Sequence, residues 1–398
     1  MKILITTDTY YPITNGVVIS TDNLYKQLKH LGHDVKILTL SFEGKEHISG
    51  DIFYFNSLNI NIYPDVRIIN PIKNHIISEV IKWKPDIIHS QSEFSTMIVA
   101  KYIKRKLNIP QVHTYHTLYE DYLHYFLGGK IIRKTTLSKL TGILLNTFNT
   151  VIAPTEKVKE KLESYKVAAK IEIVPTGINL ERFQQEISIQ EKNELLSMYG
   201  LSIDDKILIY VGRIAEEKNL EEVLSFYNKA LKKIKDTKLL IVGGGPYLSK
   251  LKNIVKEYDL EANVKFTGMI DCNEIYKYYK LGNFFVTAST SETQGITYIE
   301  ALASGLPVIC RWDMCIKDLV INGETGFTYT NEEQFINALV NLTSNKELEN
   351  NIRKNSQSKV KDYSVENFAL KVLNIYNNVI INVGTTTKYN SNKKGSVL

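Results

Sequence analysis

Residues 284–302 read FFVTASTSETQGITYIEAL, and this stretch decides how the rest of the chain is interpreted. Its apolar beginning predicts a buried strand over 284–288, and a loop then leads through Gly295 into a predicted helix. Glu292 lies in the loop and Glu300 in the first turns of the helix. A helix amino terminus attracts phosphate, and a carboxylate on each side can accept hydroxyl groups of the same ligand. Glu300 could instead be a carboxylate that caps the helix.

Backbone amides are the first candidate groups for binding that phosphate. They belong to Gly295, Ile296 and Thr297 at the start of the helix, and to Gly244 in the run GGGP at 243–246. Three glycines after a predicted strand leave the backbone open ahead of a helix with proline in its first turn. The plain structural interpretation of the glycine run is a tight turn.

Two cations follow another predicted strand, KILIYV at 206–211. Arg213 and Lys218 lie five residues apart after Gly212, so both can bind one diphosphate at the carboxyl end of the strand. A solvated basic loop is the alternative interpretation.

Predicted strands and helices alternate along the chain, which indicates parallel sheets covered by helices on both faces. The pattern restarts around 171–177, so the sequence predicts an α/β protein with two doubly wound domains. Such sheets bind ligands beyond the carboxyl ends of their strands. We expect an amino-terminal domain over 1–172, a carboxyl-terminal domain over 173–363, a helix over 364–383 that packs back on the first domain, and a disordered tail over 384–398.

Length and composition narrow the class of protein. The chain has 398 residues, of which 43% are hydrophobic and 23% charged, which suits two or three globular domains and excludes a fibrous chain. No signal peptide is recognisable, and no run of about 18 uncharged apolar residues occurs. Three cysteines predict no disulfide framework. We therefore expect a cytoplasmic protein, soluble or peripherally attached to a membrane.

Several familiar motifs are missing from the sequence. Neither GxGxxG after the first strand nor GxxxxGK[ST] occurs, which disfavours a nicotinamide dehydrogenase and a P-loop enzyme. No Asp-x-Asp pair is present to hold a diphosphate through a metal, and Cys310 and Cys315 lack neighbouring zinc ligands. We expect no metal site and no tightly bound cofactor.

The phosphate-binding loops and the two glutamates together resemble the retaining glycosyltransferases of family 4. The runs DTYYP at 8–12, ASGLPV at 303–308 and NGETGF at 322–327 match the same family. The resemblance covers residues 1–380 and implies the GT-B fold, with two Rossmann-like domains facing each other across a cleft. It also implies transfer of a hexose from a nucleotide sugar with retention of configuration, without a metal at the donor site.

The positions that match the family motifs imply roles for four residues of the second half. Arg213 and Lys218 would bind the diphosphate of the sugar donor, Glu300 its ribose and Glu292 the transferred hexose. The family that the chain resembles has no settled protein nucleophile, and none is recognisable in this sequence. The departing diphosphate would therefore take the proton of the acceptor.

Two residues of the first half complete the implied site. Gly16 would let the loop after the first strand approach the diphosphate, and His116 would contact the transferred sugar near its reacting carbon. A lone histidine is more often structural, but this one follows a predicted strand over 111–114. The resemblance thus implies four catalytic residues, namely His116, Arg213, Lys218 and Glu292.

Two runs, HSQSEFS at 89–95 and HTYHTLYEDY at 113–122, resemble one subgroup more closely, the bacterial diacylglycerol glucosyltransferases. The subgroup implies that glucose moves from UDP-glucose to diacylglycerol, at the inner face of a cell membrane that contains anionic lipids. The same transfer to a polysaccharide or cell-wall polymer remains an alternative. A binding protein of GT-B shape without activity is a more remote one.

The charge distribution also suggests a membrane surface. Residues 101–170 hold 13 Lys and Arg against 5 Asp and Glu, a net charge of +8, in a chain whose net charge is +6. Tyr115, Tyr119 and Tyr122 recur at helical spacing, and the cations that follow alternate with apolar residues, as in an interfacial segment. A core helix with a solvated basic face is the alternative, and no nucleic-acid motif is present. The candidate membrane cations are Lys130, Arg133, Lys134 and Lys139.

Overall fold

The computed structural model divides the chain into two compact units. Unit 1 comprises Met1–Gly177 and Val365–Leu398, and unit 2 comprises Ile178–Ser364. The described residues are 1–13, 15–56, 58–59, 67–68, 75–120 and 134–394, of which 58–59, 67–68 and 384–394 are described by their backbone alone.

A mostly parallel sheet forms the centre of unit 1. Its described strands are β1 (Lys2–Thr6), β2 (Asp34–Leu40), β3 (His47–Ser49), β4 (Ile52–Phe55), β5 (Leu58–Asn59), β6 (Arg67–Ile68), β7 (Ile87–Ser90), β8 (Gln111–Thr114), β9 (Thr150–Ala153) and β10 (Lys170–Ile173). Eight of them form one sheet in the order β10-β9-β8-β7-β1-β2-β4-β3, whereas β5 pairs with β6. Only β3 runs antiparallel to its neighbour within the described eight-stranded sheet. The side chains of β7, β8 and β9 are buried throughout, as expected for parallel strands covered on both faces.

Helices cover both faces of the unit 1 sheet. They are α1 (Gly16–His30), α2 (His75–Trp83), α3 (Ser95–Leu107), α4 (Lys134–Leu145) and α5 (Glu156–Ser164). Ile3 and Ile5 of β1 pack in one apolar cluster with α1, while Leu4 packs in a second cluster with α2 and α3. This alternation follows from the two-residue period of a strand. The helix α1 begins where the side chain of Asn15 accepts a hydrogen bond from the amide of Val18 at 3.0 Å.

Unit 2 is a second doubly wound sheet with flanking helices. Its strands are β11 (Lys206–Val211), β12 (Thr237–Val242), β13 (Val264–Gly268), β14 (Phe284–Thr287), β15 (Val308–Arg311) and β16 (Gly326–Tyr329). They are all parallel, in the order β13-β12-β11-β14-β15-β16. This is the Rossmann order 3-2-1-4-5-6, in which ligands bind where the order reverses. That point lies between β11 and β14.

Eight helices are described in unit 2, and one more returns the chain to unit 1. The helices of unit 2 are α6 (Leu180–Gln184), α7 (Ile189–Ser197), α8 (Leu220–Ala230), α9 (Leu248–Glu257), α10 (Ile275–Tyr279), α11 (Ile296–Ala303), α12 (Glu332–Ser344) and α13 (Lys346–Lys359). The returning helix is α14 (Val365–Lys394). Its Phe368 and Val372 pack in the same cluster as α1. Its Tyr376 hydroxyl lies 2.6 Å from Nδ1 of His89 in β7, so the carboxyl-terminal helix is part of the core of unit 1.

The prediction of a disordered tail over 384–398 is wrong for most of its length. The helix α14 continues to Lys394, and residues 395–398 lie outside the described part of the chain. No proline occurs after residue 364 to end the helix. Once a helix has formed, each further residue adds a hydrogen bond without a new nucleation cost. Polar composition alone therefore did not indicate where the helix ends.

Candidate active site

The point where the strand order of unit 2 reverses gathers two of the predicted site residues. Lys218 follows β11 by seven positions, and Glu292 follows β14 by five. Because the two strands are parallel, their carboxyl ends share one edge of the sheet. The Nζ atom of Lys218 lies 2.6 Å from Oε1 of Glu292. A cation suited to a diphosphate and a carboxylate suited to sugar hydroxyls thus lie in contact at this edge.

The ion pair between Lys218 and Glu292 is largely withdrawn from solvent. The two side chains are 17% and 19% exposed, so water screens their attraction less than it would at the surface. Lys218 ends a short 3₁₀ turn, Glu216–Lys218, and Asn219 follows it in the left-handed region with φ of 50°. Arg213, in the same connection, has an exposed side chain. The structure therefore fixes Lys218 against a carboxylate.

The start of α11 has the form expected of a phosphate-binding helix terminus. Gly295 precedes the helix with φ of +75°, and a Cβ there would lie 2.7 Å from the ring of Tyr298. Both features exclude larger side chains, so the bend requires glycine. Ile296 and Thr297 occupy the first turn, where helix amides have no partner within the helix. The loop that carries Glu292 leads directly into this turn.

Glu300 is a buried carboxylate in the second turn of α11. It is 8% exposed, and its Oε2 accepts a hydrogen bond from the hydroxyl of Tyr279 at 2.7 Å. Burial raises the pKa of Glu300 to about 7, against the opposing effects of the Tyr279 hydrogen bond and the charge of Arg182. The alternative of a helix cap is wrong, since Glu300 lies well inside the helix and bonds a tyrosine of α10.

The glycine run after β12 is explained by close packing of two backbones. A Cβ on Gly243 would lie 2.0 Å from the carbonyl oxygen of Gly212, and one on Gly245 would lie 2.2 Å from that of Ile214. The amide of Ile214 donates to the carbonyl oxygen of Gly244 at 2.8 Å. The glycines therefore hold the segment that carries Arg213 against the sheet edge. The predicted helix begins only at Leu248, so the proline of the run precedes it. A direct role of Gly244 in donor binding stays a prediction.

His116 lies at the corresponding edge of unit 1, just after β8. Its Nε2 donates to Oε1 of Gln91 at 2.7 Å, which leaves Nδ1 as the acceptor of a neutral ring. Burial and the nearby His113 lower the pKa of His116 to about 3, so the ring is neutral at physiological pH. Gly16, the first residue of α1, follows β1 on the same sheet.

Sequence reasoning missed a group of buried polar residues around His116. Asp8 accepts backbone amides of Phe94 and Thr96 at 3.3 and 2.8 Å, and burial raises its pKa to about 6. Glu93 accepts from the Tyr119 hydroxyl at 2.5 Å and lies 3.0 Å from Nε2 of His113. Asp8 lies two positions after β1 and Glu93 three positions after β7, the neighbouring strands where the order of unit 1 reverses. Their position just past the buried apolar strands β1 and β7 was the available signal.

Comparison with known proteins identifies the family. A family model described as "Glycosyltransferase Family 4" matches residues 14–182, and one described as "Glycosyl transferases group 1" matches residues 192–359. An alpha-monoglucosyldiacylglycerol synthase of Streptococcus pneumoniae is 35% identical over 96% of this chain and 86% of its own. Another, from Acholeplasma laidlawii, is 30% identical over 96% of this chain and 98% of its own. The chain belongs to glycosyltransferase family 4.

The fold agrees with that assignment. The structure of Anabaena HepE in complex with UDP-glucose aligns with a TM-score of 0.75 at 14% identity, over 95% of this chain and all of HepE (100%). The expected GT-B class, with two parallel-sheet α/β domains, is therefore confirmed. Family membership makes the protein a hexosyltransferase that uses a nucleotide-sugar donor.

Only part of the predicted membrane segment lies within the described residues. Tyr122, Lys130 and Arg133 lie outside the described residues. Tyr115 is 1% exposed and packs in the core with Leu118, and Tyr119 bonds Glu93. The predicted aromatic stripe is therefore wrong for Tyr115, whereas a membrane or acceptor role of Tyr119 stays a prediction. The reason is that β8 ends at Thr114 and residues 115–118 are not helical, so side chains at helical spacing do not share one face there.

The helix α4 exposes both cationic and large apolar side chains. Lys134 and Lys139 are exposed on it, and Leu140 and Ile143 are 57% and 69% exposed. Among the helices of the described residues, none has the length and the apolar run needed to cross a bilayer. No cluster of metal-ligating side chains occurs within the same residues.

Proposed function

We propose that this transferase moves glucose from UDP-glucose to the hydroxyl group of diacylglycerol, with retention of the α configuration, and so makes a membrane glycolipid. The observation that supports it most is the match, over nearly the whole chain, to two synthases whose names specify this product. The contact between Lys218 and Glu292 beside the α11 terminus supports the donor side. HepE, which has a similar fold, was solved in complex with UDP-glucose.

In this proposal unit 2 binds the donor. Lys218 and Arg213 bind the diphosphate, together with the amides at the start of α11 and those of the glycine run. Glu300 accepts hydroxyl groups of the ribose, and Glu292 accepts hydroxyl groups of the glucose. These groups stabilise the negative charge that develops as the bond from the sugar carbon to the diphosphate breaks. The acceptor oxygen bonds the same face of that carbon, and its proton passes to the departing diphosphate.

In this proposal two residues of unit 1, His116 and Gly16, also contribute to catalysis and donor binding. Because Nε2 of His116 is bound to Gln91, the free Nδ1 accepts a hydroxyl hydrogen of the transferred glucose. A neutral ring suits this role, since an imidazolium would have no acceptor nitrogen. Gly16 allows the amino end of α1 to approach the diphosphate.

We further propose that the enzyme attaches peripherally to the cytoplasmic face of a membrane through α4 and the residues before it. Exposed leucine and isoleucine side chains would enter the acyl boundary while neighbouring lysines meet anionic headgroups. The concentration of the chain's positive charge in 101–170 favours a lipid surface as the acceptor's source.

Replacing Lys130, Arg133, Lys134 and Lys139 together by glutamine is expected to weaken binding to anionic vesicles at least tenfold. Each cation near a lipid surface contributes about 1 kcal/mol of attraction. Donor binding should persist while transfer to vesicle-embedded diacylglycerol falls, and added salt should imitate the change in the parent. Co-sedimentation with phosphatidylglycerol vesicles measures the binding.

A control of equal charge is available on unit 2. Lys232, Lys233, Lys235 and Lys256 are exposed, and their joint replacement by glutamine removes four charges from outside the proposed surface. If both quadruple variants bind vesicles as the parent does, the lipid-surface proposal fails. An assay of labelled UDP-glucose with mixed acceptors tests the acceptor itself. If product forms only on a polysaccharide, the acceptor is that polysaccharide and not diacylglycerol.

The transferase is expected to retain its activity in EDTA. Its sequence has no Asp-x-Asp pair, and the proposed diphosphate contacts are cationic side chains and amides. Transfer rates before and after dialysis against the chelator provide the measurement. Activity that disappears in EDTA and returns only with manganese would contradict the proposed donor site.

A further inference from the structure

Unit 2 contains a polar cavity at the edge of its sheet opposite to the donor loops. The cavity has a volume of about 250 Å³. Asn283 and Leu306, which line it, precede β14 and β15, so the cavity lies at the amino ends of strands whose carboxyl ends face the donor site. Since a water molecule occupies about 30 Å³ of liquid, the space accommodates a small anion with several waters.

Three cations line this cavity against one carboxylate. They are Lys192, Lys280 and Arg353, and the carboxylate is Glu186. The Nζ atom of Lys280 lies 3.2 Å from Glu186, whose side chain is 82% exposed. Arg353 forms an ion pair with Glu349 at 2.9 Å. The acids present therefore compensate two of the three cations.

Lys192 is the cation that remains. Within the described residues its ammonium group forms no hydrogen bond or ion pair, although the residue is half-buried on α7. Burial and the neighbouring charge of Arg353 lower the pKa of its ammonium group, with Lys280 acting in the same direction and the charge of Glu186 opposing them. The cavity thus holds repelling positive charges that an anion would relieve.

A buried hydroxyl group adds a second, neutral partner for an anion. Ser304 lines the cavity directly after α11 and is 7% exposed. Its Oγ has no hydrogen-bond partner within the described residues. A buried polar group without a partner is costly, and such groups often mark the place of a ligand. A tetrahedral oxyanion can bond a hydroxyl and several ammonium groups at once.

We infer that this cavity is a binding site for a phosphate group, separate from the donor site. Lys192 and Lys280 provide the charge, and Ser304 provides a buried hydrogen bond. Tyr279 links the cavity to the proposed donor site. It lines the cavity, and its hydroxyl donates a hydrogen bond to Glu300. The inference rests on unit 2 alone and does not depend on which acceptor the enzyme uses.

Inorganic phosphate is the probe for the first experiment. The thermal unfolding midpoint of the full chain is measured in sodium phosphate and in sodium chloride of equal ionic strength, in a Lys218→Gln background that weakens phosphate binding at the donor site. A ligand that binds the folded state raises the midpoint. We expect phosphate to raise it, Lys192→Gln to remove most of the rise, and Ser304→Ala to reduce it.

The control is Lys256→Gln, which removes one exposed lysine of α9 far along the chain from the cavity residues. It should leave the phosphate-dependent rise unchanged. An equal rise in the Lys192→Gln and Lys256→Gln proteins, or no rise in the Lys218→Gln background itself, would overturn the inference.

A second arm distinguishes the source of the phosphate group. If Lys192→Gln also weakens binding to phosphatidylglycerol vesicles relative to Lys256→Gln, the natural ligand is a lipid headgroup. If vesicle binding is equal while glycerol 3-phosphate still raises the midpoint in a Lys192-dependent way, the ligand is a soluble phosphate ester. Both results support the site, and a midpoint that does not depend on Lys192 with either probe excludes it.

Discussion

Lys218→Ala and Arg213→Ala are each expected to lower the turnover of the transferase by roughly 100-fold or more, because they act on charge that develops as the diphosphate departs. Lys218 is the better defined of the two. Its Nζ atom lies 2.6 Å from Glu292 at the edge where the strand order of unit 2 reverses. Its ammonium group is therefore fixed in advance of donor binding, and a fixed charge needs little reorganisation during the reaction.

The expected loss of turnover must be distinguished from any loss of stability caused by breaking the ion pair between Lys218 and Glu292. Lys229→Ala provides the matched control, since it removes an exposed pair with Glu332 at 2.5 Å on the same unit. That variant should lose little activity, because exposed pairs contribute only about 0–1 kcal/mol to stability. Turnover at saturating UDP-glucose, with folding checked by circular dichroism, is the measurement. A Lys218→Ala enzyme as active as the Lys229→Ala enzyme would remove Lys218 from the catalytic set.

The central strands and the donor loops could be predicted because both have local signatures. Buried parallel strands occur in the sequence as short runs of apolar residues, and β11 and β14 are two examples. The edge strand β3, at His47–Ser49, has three exposed side chains and no such run. Its pairing with β4 depends on the fold around it, so it was not found from the sequence. The same holds for the two-residue strands β5 and β6.

The contacts that support the site residues depend on tertiary packing and have no local signature. Tyr279 donates to Glu300 across 21 positions, because α10 and α11 pack together. Gln91 fixes the orientation of His116 across 25 positions. Gln91 was within reach of sequence reasoning, since it directly follows the apolar strand β7. Tyr279 was not, because nothing distinguishes it from the other tyrosines of IYKYY at 275–279.

Glu300 is expected to show a conflict between stability and function. Its pKa of about 7 lies above the ordinary value of 4.5, because burial disfavours the carboxylate. A raised pKa in the folded state means that folding is favoured by protonation. The stability that this protonation contributes is complete below pH 4.5 and is lost as the pH rises through 7. At pH 8 the folded protein therefore carries a buried charge that its proposed task of binding ribose requires.

Glu300→Gln should make unit 2 more stable at pH 8 and less able to bind UDP. The amide oxygen can still accept from Tyr279, while the buried charge is gone, so the free energy of unfolding should rise by about 1–3 kcal/mol at pH 8. At pH 4.5 the gain should nearly vanish, because the parent is then protonated. Loss of charged hydrogen bonds to the ribose should weaken UDP binding by about 1.5–3 kcal/mol, roughly 10–150-fold.

Denaturant unfolding at both pH values and calorimetry with UDP test the two halves of this expectation separately. Glu257→Gln is the control, because it makes the same change at an exposed position of α9 and should alter neither quantity. A stability gain that is equal at pH 4.5 and pH 8 would show that the charge of Glu300 is not its cause. Unchanged UDP affinity in the Glu300→Gln protein would remove Glu300 from the donor site, whatever its effect on stability. Together the two measurements decide whether the buried carboxylate is retained for the ligand at the expense of the fold.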